Sequence, residues 1–168
     1  INKMDRDGRP PIEVLDEIED ILKIECAPIT WPIGMGRAFK GVYHLLEDKV
    51  HLYEGSDNEA GGRTITLDGL ADDRLKEIAG DYYDDLLEEI ELVREAGSGF
   101  DLERYRAGEV TPVFFGSASN NFGVQSLLDA VVDLSPPPQP RAVPRTHATV
   151  GGGEARRGLP LEPRGDLR

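Results

Sequence analysis

Residues 111–115, Thr-Pro-Val-Phe-Phe, form a near-continuous apolar run closed by Gly116. A run without polar alternation is buried on both faces, the pattern of a strand inside a parallel sheet. Behind it Asn120, Asn121 and Gly123 make a turn, and Val124, Leu127, Leu128, Val131 and Val132 recur at helical steps. A buried parallel strand needs a partner and a long crossover, so the run constrains the chain to an α/β fold.

The rest of the sequence supplies the remaining pieces. Pro10 and Pro11 suit a helix start, and Ile12, Leu15, Ile18 and Leu22 follow at helical spacing. Residues 26–33, Cys-Ala-Pro-Ile-Thr-Trp-Pro-Ile, read as one short extended segment broken by prolines, with a turn at Gly34 to Gly36. Lys40 to Tyr53 predicts two short strands around Glu47-Asp48; a loop at 57–62 and a strand at Thr64 to Leu67 follow. The longest helix signal covers residues 72–96, where Leu75, Ile78, Tyr82, Leu86, Ile90 and Val93 keep a three- and four-residue step. Asp101 to Ala107 predicts a further small helix.

Charge narrows the function. The net charge is −13, and residues 137–168 carry six Lys/Arg against three Asp/Glu, which leaves a net of −16 on the rest. Nucleic-acid wrapping needs phosphates neutralised by Lys and Arg, so the acidic body argues against direct nucleic-acid binding. No apolar run approaches the roughly 18 residues of a membrane span. The single cysteine, Cys26, has no disulfide partner and suits a reducing cytoplasm, where it reads as a small buried hydrophobe.

Two short motifs carry the chemistry. Asn2-Lys3-Met4-Asp5 matches the N-K-x-D guanine signature of the GTPase superfamily. Guanine presents two adjacent donors, N1–H and the 2-amino group, and one ionised carboxylate, Asp5, can accept both. Each such bond is worth about 1.5–3 kcal/mol, and adenine lacks the donor pair. The Asn2 amide can meet N7, and the Lys3 stem can lie over the base. Gly116-Ser117-Ala118, between the apolar strand and the closing helix, matches the Ser-Ala guanine loop, with the Ala118 N–H expected to donate to the base O6. Ser117 and Ala118 are both expected to act through backbone placement. Ligands of α/β sheets gather at such carboxyl ends of strands.

Longer stretches carry a closer resemblance. Asn2-Lys3-Met4-Asp5-Arg6 looks like elongation factor G and its relatives. Residues 27–36, Ala-Pro-Ile-Thr-Trp-Pro-Ile-Gly-Met-Gly, then Phe39-Lys40-Gly41-Val42-Tyr43 and Thr111 to Ala118, resemble the peptide chain release factor three family. The resemblance covers residues 1 to about 142. It implies the carboxyl-terminal half of a P-loop GTPase domain, residues 1–134, with an α+β insert at about 37–108. It implies GTP as ligand, with Mg²⁺ expected only through an upstream half. It also implies the ribosome and the codon-reading release factors as partners, and a cytoplasmic location. The acids of helix 72–96, Asp84, Asp85, Glu88, Glu89 and Glu91, read as a solvated face or a contact for the ribosomal stalk.

Departures from the family keep other readings open. No G-x-x-x-x-G-K-[ST] loop occurs: Gly36 to Val42 has the glycine spacing but Val42 in place of Lys, and Gly151-Gly152-Gly153 has no Lys-Ser/Thr after it. The chain therefore reads as an internal fragment, inactive alone. A cousin related to elongation factor G or to the ribosomal protection GTPases would share the same base motifs. A non-catalytic remnant binding only protein would fit the missing phosphate loop. Residues 135–145, with Pro136-Pro137-Pro138 and Pro140, read as a stiff linker. Residues 146–168 read as an atypical, disordered tail, and both a linker and a frameshifted end fit them. A calcium loop on Gly8 fails because Val14 stands where a bidentate Glu is needed. His44, His51 and His147 lack ligand-spaced companions.

Overall fold

Ile29 is the residue at which the chain passes from one sheet to another. Its N–H donates to the Val113 carbonyl at 2.8 Å, and its carbonyl accepts from the Leu45 N–H at 2.9 Å. The computed structural model describes residues 1–54, 63–96 and 99–135. The expected loop at 57–62, the linker beyond Ser135 and the tail at 146–168 lie outside the described residues.

On one side of Ile29, strand β1 (Glu25–Pro28) pairs in parallel with β6 (Val110–Val113), in the register Glu25 to Val110 through Pro28 to Val113. On the other side β2 (Thr30–Ile33), β3 (Gly41–His44), β4 (Lys49–Glu54) and β5 (Arg63–Asp68) form an antiparallel sheet in that order. The segment expected as one broken strand at 26–33 is thus two strands in two sheets. Prolines at 28 and 32 are tolerated because each leaves only one ladder donor missing. The antiparallel sheet begins at Thr30, ahead of the insert start expected near 37.

Helix α1 (Pro11–Leu22) starts at the expected Pro pair, with Pro11 filling a position whose N–H would be unpaired. It ends at Lys23 in the left-handed region, and the Glu19 carboxylate reaches on to accept the Cys26 N–H at 2.7 Å. The helix thereby fixes the entry of β1.

The helix expected over 72–96 is two helices. Asp72 caps α2 (Asp73–Ala79) by accepting the Arg74 N–H, and Gly80 then leaves helical geometry at φ 55°. A short 3-10 turn, Gly80–Tyr82, leads into α3 (Tyr83–Ala96). The apolar period runs through the break because Leu75, Leu86, Ile90 and Val93 all join the same core as the sheet. Helix α4 (Leu102–Ala107), capped by Asp101, precedes β6, and α5 (Val124–Leu134) follows it.

The core of the antiparallel unit is closed around Trp31 and Tyr43, both 0% exposed. The Trp31 ring meets Phe115 edge-on at 5.3 Å, which ties this core to the end of β6. Its Nε1–H donates to Glu89 at 2.9 Å, and the Tyr82 hydroxyl donates to the same carboxylate at 2.8 Å. Glu89 is therefore a bonded, half-buried acid rather than a member of the solvated face. Asp84, Asp85, Glu88 and Glu91 are exposed.

Candidate functional site: two loops at the end of the parallel strands

Backbone pairing carries the first loop to the second. The Gly116 N–H donates to the Ile1 carbonyl at 3.1 Å, and the Met4 N–H donates to the Gly116 carbonyl at 3.1 Å. Met4 is buried, so residues 2–5 are anchored from beneath while Asn2 and Lys3 remain exposed. Lys3 adopts φ 72°, in the left-handed region, which turns the chain sharply between Asn2 and Met4.

The second loop is a tight four-residue excursion. The Ser117 N–H donates to the Phe122 carbonyl at 2.8 Å, and the Phe122 N–H returns to the Ser117 carbonyl at 2.9 Å. A Cβ on Gly116 would stand 2.5 Å from the Phe122 carbonyl oxygen, so only glycine admits this closure. Gly123, at φ 74°, then opens α5.

Side chains complete the junction. The Ser117 hydroxyl donates to Asp5 Oδ1 at 2.6 Å and lies 3.1 Å from the Ser119 hydroxyl. Ser117 is fully buried, so this donor is held away from competing water. The Ser117 hydrogen bond is the main reason that the Asp5 carboxyl sits below its usual pKa. Asn2 Oδ1 accepts from the Lys3 N–H at 2.7 Å and from the Ala118 N–H at 2.9 Å.

All five residues singled out from the motifs, Asn2, Lys3, Asp5, Ser117 and Ala118, thus lie on two adjoining loops, and two hydrogen bonds, Ser117 to Asp5 and Ala118 to Asn2, join them directly. Two details differ from expectation. Ser117 acts through its side chain as well as its backbone, and the Ala118 N–H is engaged by Asn2 rather than left open. Ser119, Gly36 and Phe122 were not singled out in the sequence. Gly36 meets Met4 and Phe122 stacks on Tyr53, both remote in the chain, while Ser119 bonds to Ser117 within its own loop.

The arrangement offers an ionised carboxylate, Asp5, held at Oδ1 by the Ser117 hydroxyl. Beside it stand an Asn2 amide and the backbone N–H groups of the second loop. That donor and acceptor set is complementary to the edge of a purine bearing an oxygen and two adjacent N–H donors. A cavity of about 200 Å³ opens between the loops, lined by Asn2, Gly116, Ser117, Ala118 and Leu127 among others.

The largest cavity described, about 410 Å³, lies elsewhere, between β3, β4 and the α5 face. His44 and His51 line it with perpendicular rings 6.5 Å apart, and burial lowers the pKa of both. Among the described residues no group of three His, Cys, Asp or Glu side chains could hold a metal ion. His147 lies outside the described residues.

Among known protein families, the model of the elongation factor Tu GTP binding domain matches residues 1–137.

Proposed function

Since this chain belongs to the elongation factor Tu GTP binding domain family, a family of translational GTPases, we propose that it supplies the guanine-reading part of a ribosome-dependent GTPase of translation termination. In this reading Asp5 accepts N1–H and the 2-amino group of guanine. Asn2 meets N7, and the Lys3 stem covers the base face. Ser117 holds Asp5 ionised and aimed, and the Ala118 N–H turns from Asn2 to the base O6 when a nucleotide enters. The observation that carries the reading is the 2.6 Å bond from the Ser117 hydroxyl to Asp5, which joins the two loops into one receptor.

Phosphate chemistry belongs to a phosphate loop, and the 168 residues contain no such motif. GTP supplies the transferable phosphoryl group, and the residues of this chain orient the base end. The termination role, removal of codon-reading release factors in the cytoplasm, is supported by the likeness of residues 27–43 and 111–118 to the release factor three family. A factor of the elongation factor G kind is the second reading, favoured by Asn2 to Arg6.

The test uses a protein joining this chain to a phosphate-loop segment. Asp5→Asn replaces the double acceptor by an amide that can donate to the extra oxygen of xanthine. Competition binding of GTP, XTP and ATP should show the preference moving from GTP to XTP by several kcal/mol. An unchanged GTP-over-XTP ratio would remove Asp5 as the base reader. Release factor occupancy on ribosomes, followed with and without the joined protein, separates the termination reading from the elongation one.

A further inference from the structure

The two base loops do not hold one another alone; the antiparallel sheet reaches both of them. At the first loop the Met4 carbonyl accepts the Gly36 N–H at 2.8 Å. Gly36 has φ 61°, and a Cβ there would collide with the Asp7 carboxylate, so the turn after β2 sits directly against the chain that carries Asp5. At the second loop the Tyr53 ring, near the end of β4, stacks on Phe122 with centroids 4.5 Å apart and planes only 11° from parallel. The Tyr53 hydroxyl lies beside Gly123, the residue that opens α5.

The sheet links these two fastenings internally. The Tyr53 N–H donates to the Lys40 carbonyl at 2.8 Å, and Phe39, in the core, packs against the Tyr53 ring at 6.2 Å. Phe39 in turn bonds back to the Gly36 carbonyl at 3.2 Å. The contacts therefore close a circuit: Met4 to the Gly36 turn, through Phe39 and Tyr53 to Phe122, across the bridge to Ser117, and by its hydroxyl to Asp5. Phe122 is the only member of the second loop with an aromatic ring on this path, and its backbone makes both bridge bonds to Ser117.

We infer that Tyr53 is a positioning residue for base recognition: its stack on Phe122 fixes Ser117 under Asp5 and makes guanine selectivity depend on the antiparallel sheet. The inference rests on the base-reading role proposed for Asp5. Its consequence is that a partner pulling on the sheet would change how tightly the nucleotide base is gripped, without touching the nucleotide. Burial pushes the Tyr53 hydroxyl up to about 12, so the ring stays neutral throughout the physiological range.

Two readouts test it. In the 168-residue chain, amide hydrogen exchange is followed at Ser117 and Phe122 and, as reference, at Val42 and Val50. In the protein joined to a phosphate-loop segment, the GTP-over-ITP affinity ratio is measured, because hypoxanthine lacks the 2-amino group that Asp5 accepts. Tyr53→Leu and, from the other side, Phe122→Leu should each speed exchange at Ser117 and Phe122 by up to about tenfold, the worth of one aromatic pair. Both should lower the GTP-over-ITP ratio in the same direction. Tyr53→Phe keeps the stack and should restore both readouts, while Leu67→Val, a core change outside the circuit, should leave the ratio at its parent value. Loop protection lost with an intact ratio would reduce the circuit to a structural brace and overturn the inference, as would no change in either readout. Failure of the base-reading role itself shows separately, as an Asp5→Asn protein that keeps its GTP-over-XTP ratio.

Discussion

The antiparallel sheet and the parallel pair solve the problem of burial in opposite ways. The antiparallel unit is buried most fully: β2 is buried along its whole length, and α2 and α3 add Leu75, Leu86 and Ile90 to a cluster that also takes in Leu15, Cys26 and Val113. The parallel pair leaves apolar faces uncovered on both of its helices. On α1, Ile21 is 68% exposed, and on α5 Val132 is 79% exposed. Yet the polar residues of the candidate site all sit on the less covered part. The largest fully buried side chains and the polar residues of the candidate site thus lie mostly in different regions, joined by the contacts at Gly36 and Phe122.

The largest effect that would sharpen this contrast is expected at Trp31. Its ring fills the antiparallel core and touches Phe115, so Trp31→Ala should cost about 3–5 kcal/mol of folding stability in urea titrations. A loss below about 1 kcal/mol would mean that this core is not where the chain's stability resides.

Ser117→Ala should show the converse. Removing a buried hydroxyl that donates to a carboxylate should weaken guanine-nucleotide affinity in the joined protein by about 1.5–3 kcal/mol, with a smaller change in unfolding. The Asp5 carboxyl should also titrate higher. Its pKa in the folded chain is held below the ordinary aspartate value of 3.8, so the bond stabilises above that value and its contribution is lost as pH falls through the lowered one. Carboxyl-carbon NMR titration of Asp5 in parent and variant would read the shift directly, and identical curves would deny the bond any electrostatic role.

The smallest effect belongs to the outer face of α5. Leu128→Ser and Val132→Ser remove side chains that are already exposed, so each should stay within about 0.5 kcal/mol of the parent in the same urea titrations. Core-sized losses would show that this face is covered and that the contrast drawn above is false.

Local pattern carried much of this architecture. The Pro10-Pro11 start, the apolar run before Gly116 and the period of α5 are properties of neighbouring residues, and each is legible in the sequence. Where contacts at long separation decide, sequence reading stops short. Residues 72–96 read as one helix because both halves face the same core, and only the backbone at Gly80 reveals the break. Glu89 read as a wet acid because its partner, the Trp31 indole, is 58 residues away. Motif spacing singled out five residues that the fold brings onto adjoining loops, but the use of the Ser117 side chain depends on an acceptor 112 residues distant.

That separation bears on how the chain comes to be folded. Strand β6 pairs with β1 along residues 110–113, and its continuation pairs with Ile1 through Phe114 and Gly116. The middle element therefore leaves the ribosome that makes it well after both of its neighbours. Until residues 110–116 arrive, β1 and the first loop have backbone groups without their eventual partners, an edge open to wrong pairing. Pairing across so many residues carries a loop-closure cost that falls late in folding, after the local strands and helices between have formed. The junction of Asp5 with Ser117 is consequently late to assemble: an intermediate with α1 to α4 in place still lacks it until β6 is threaded between the Ile1 segment and β1.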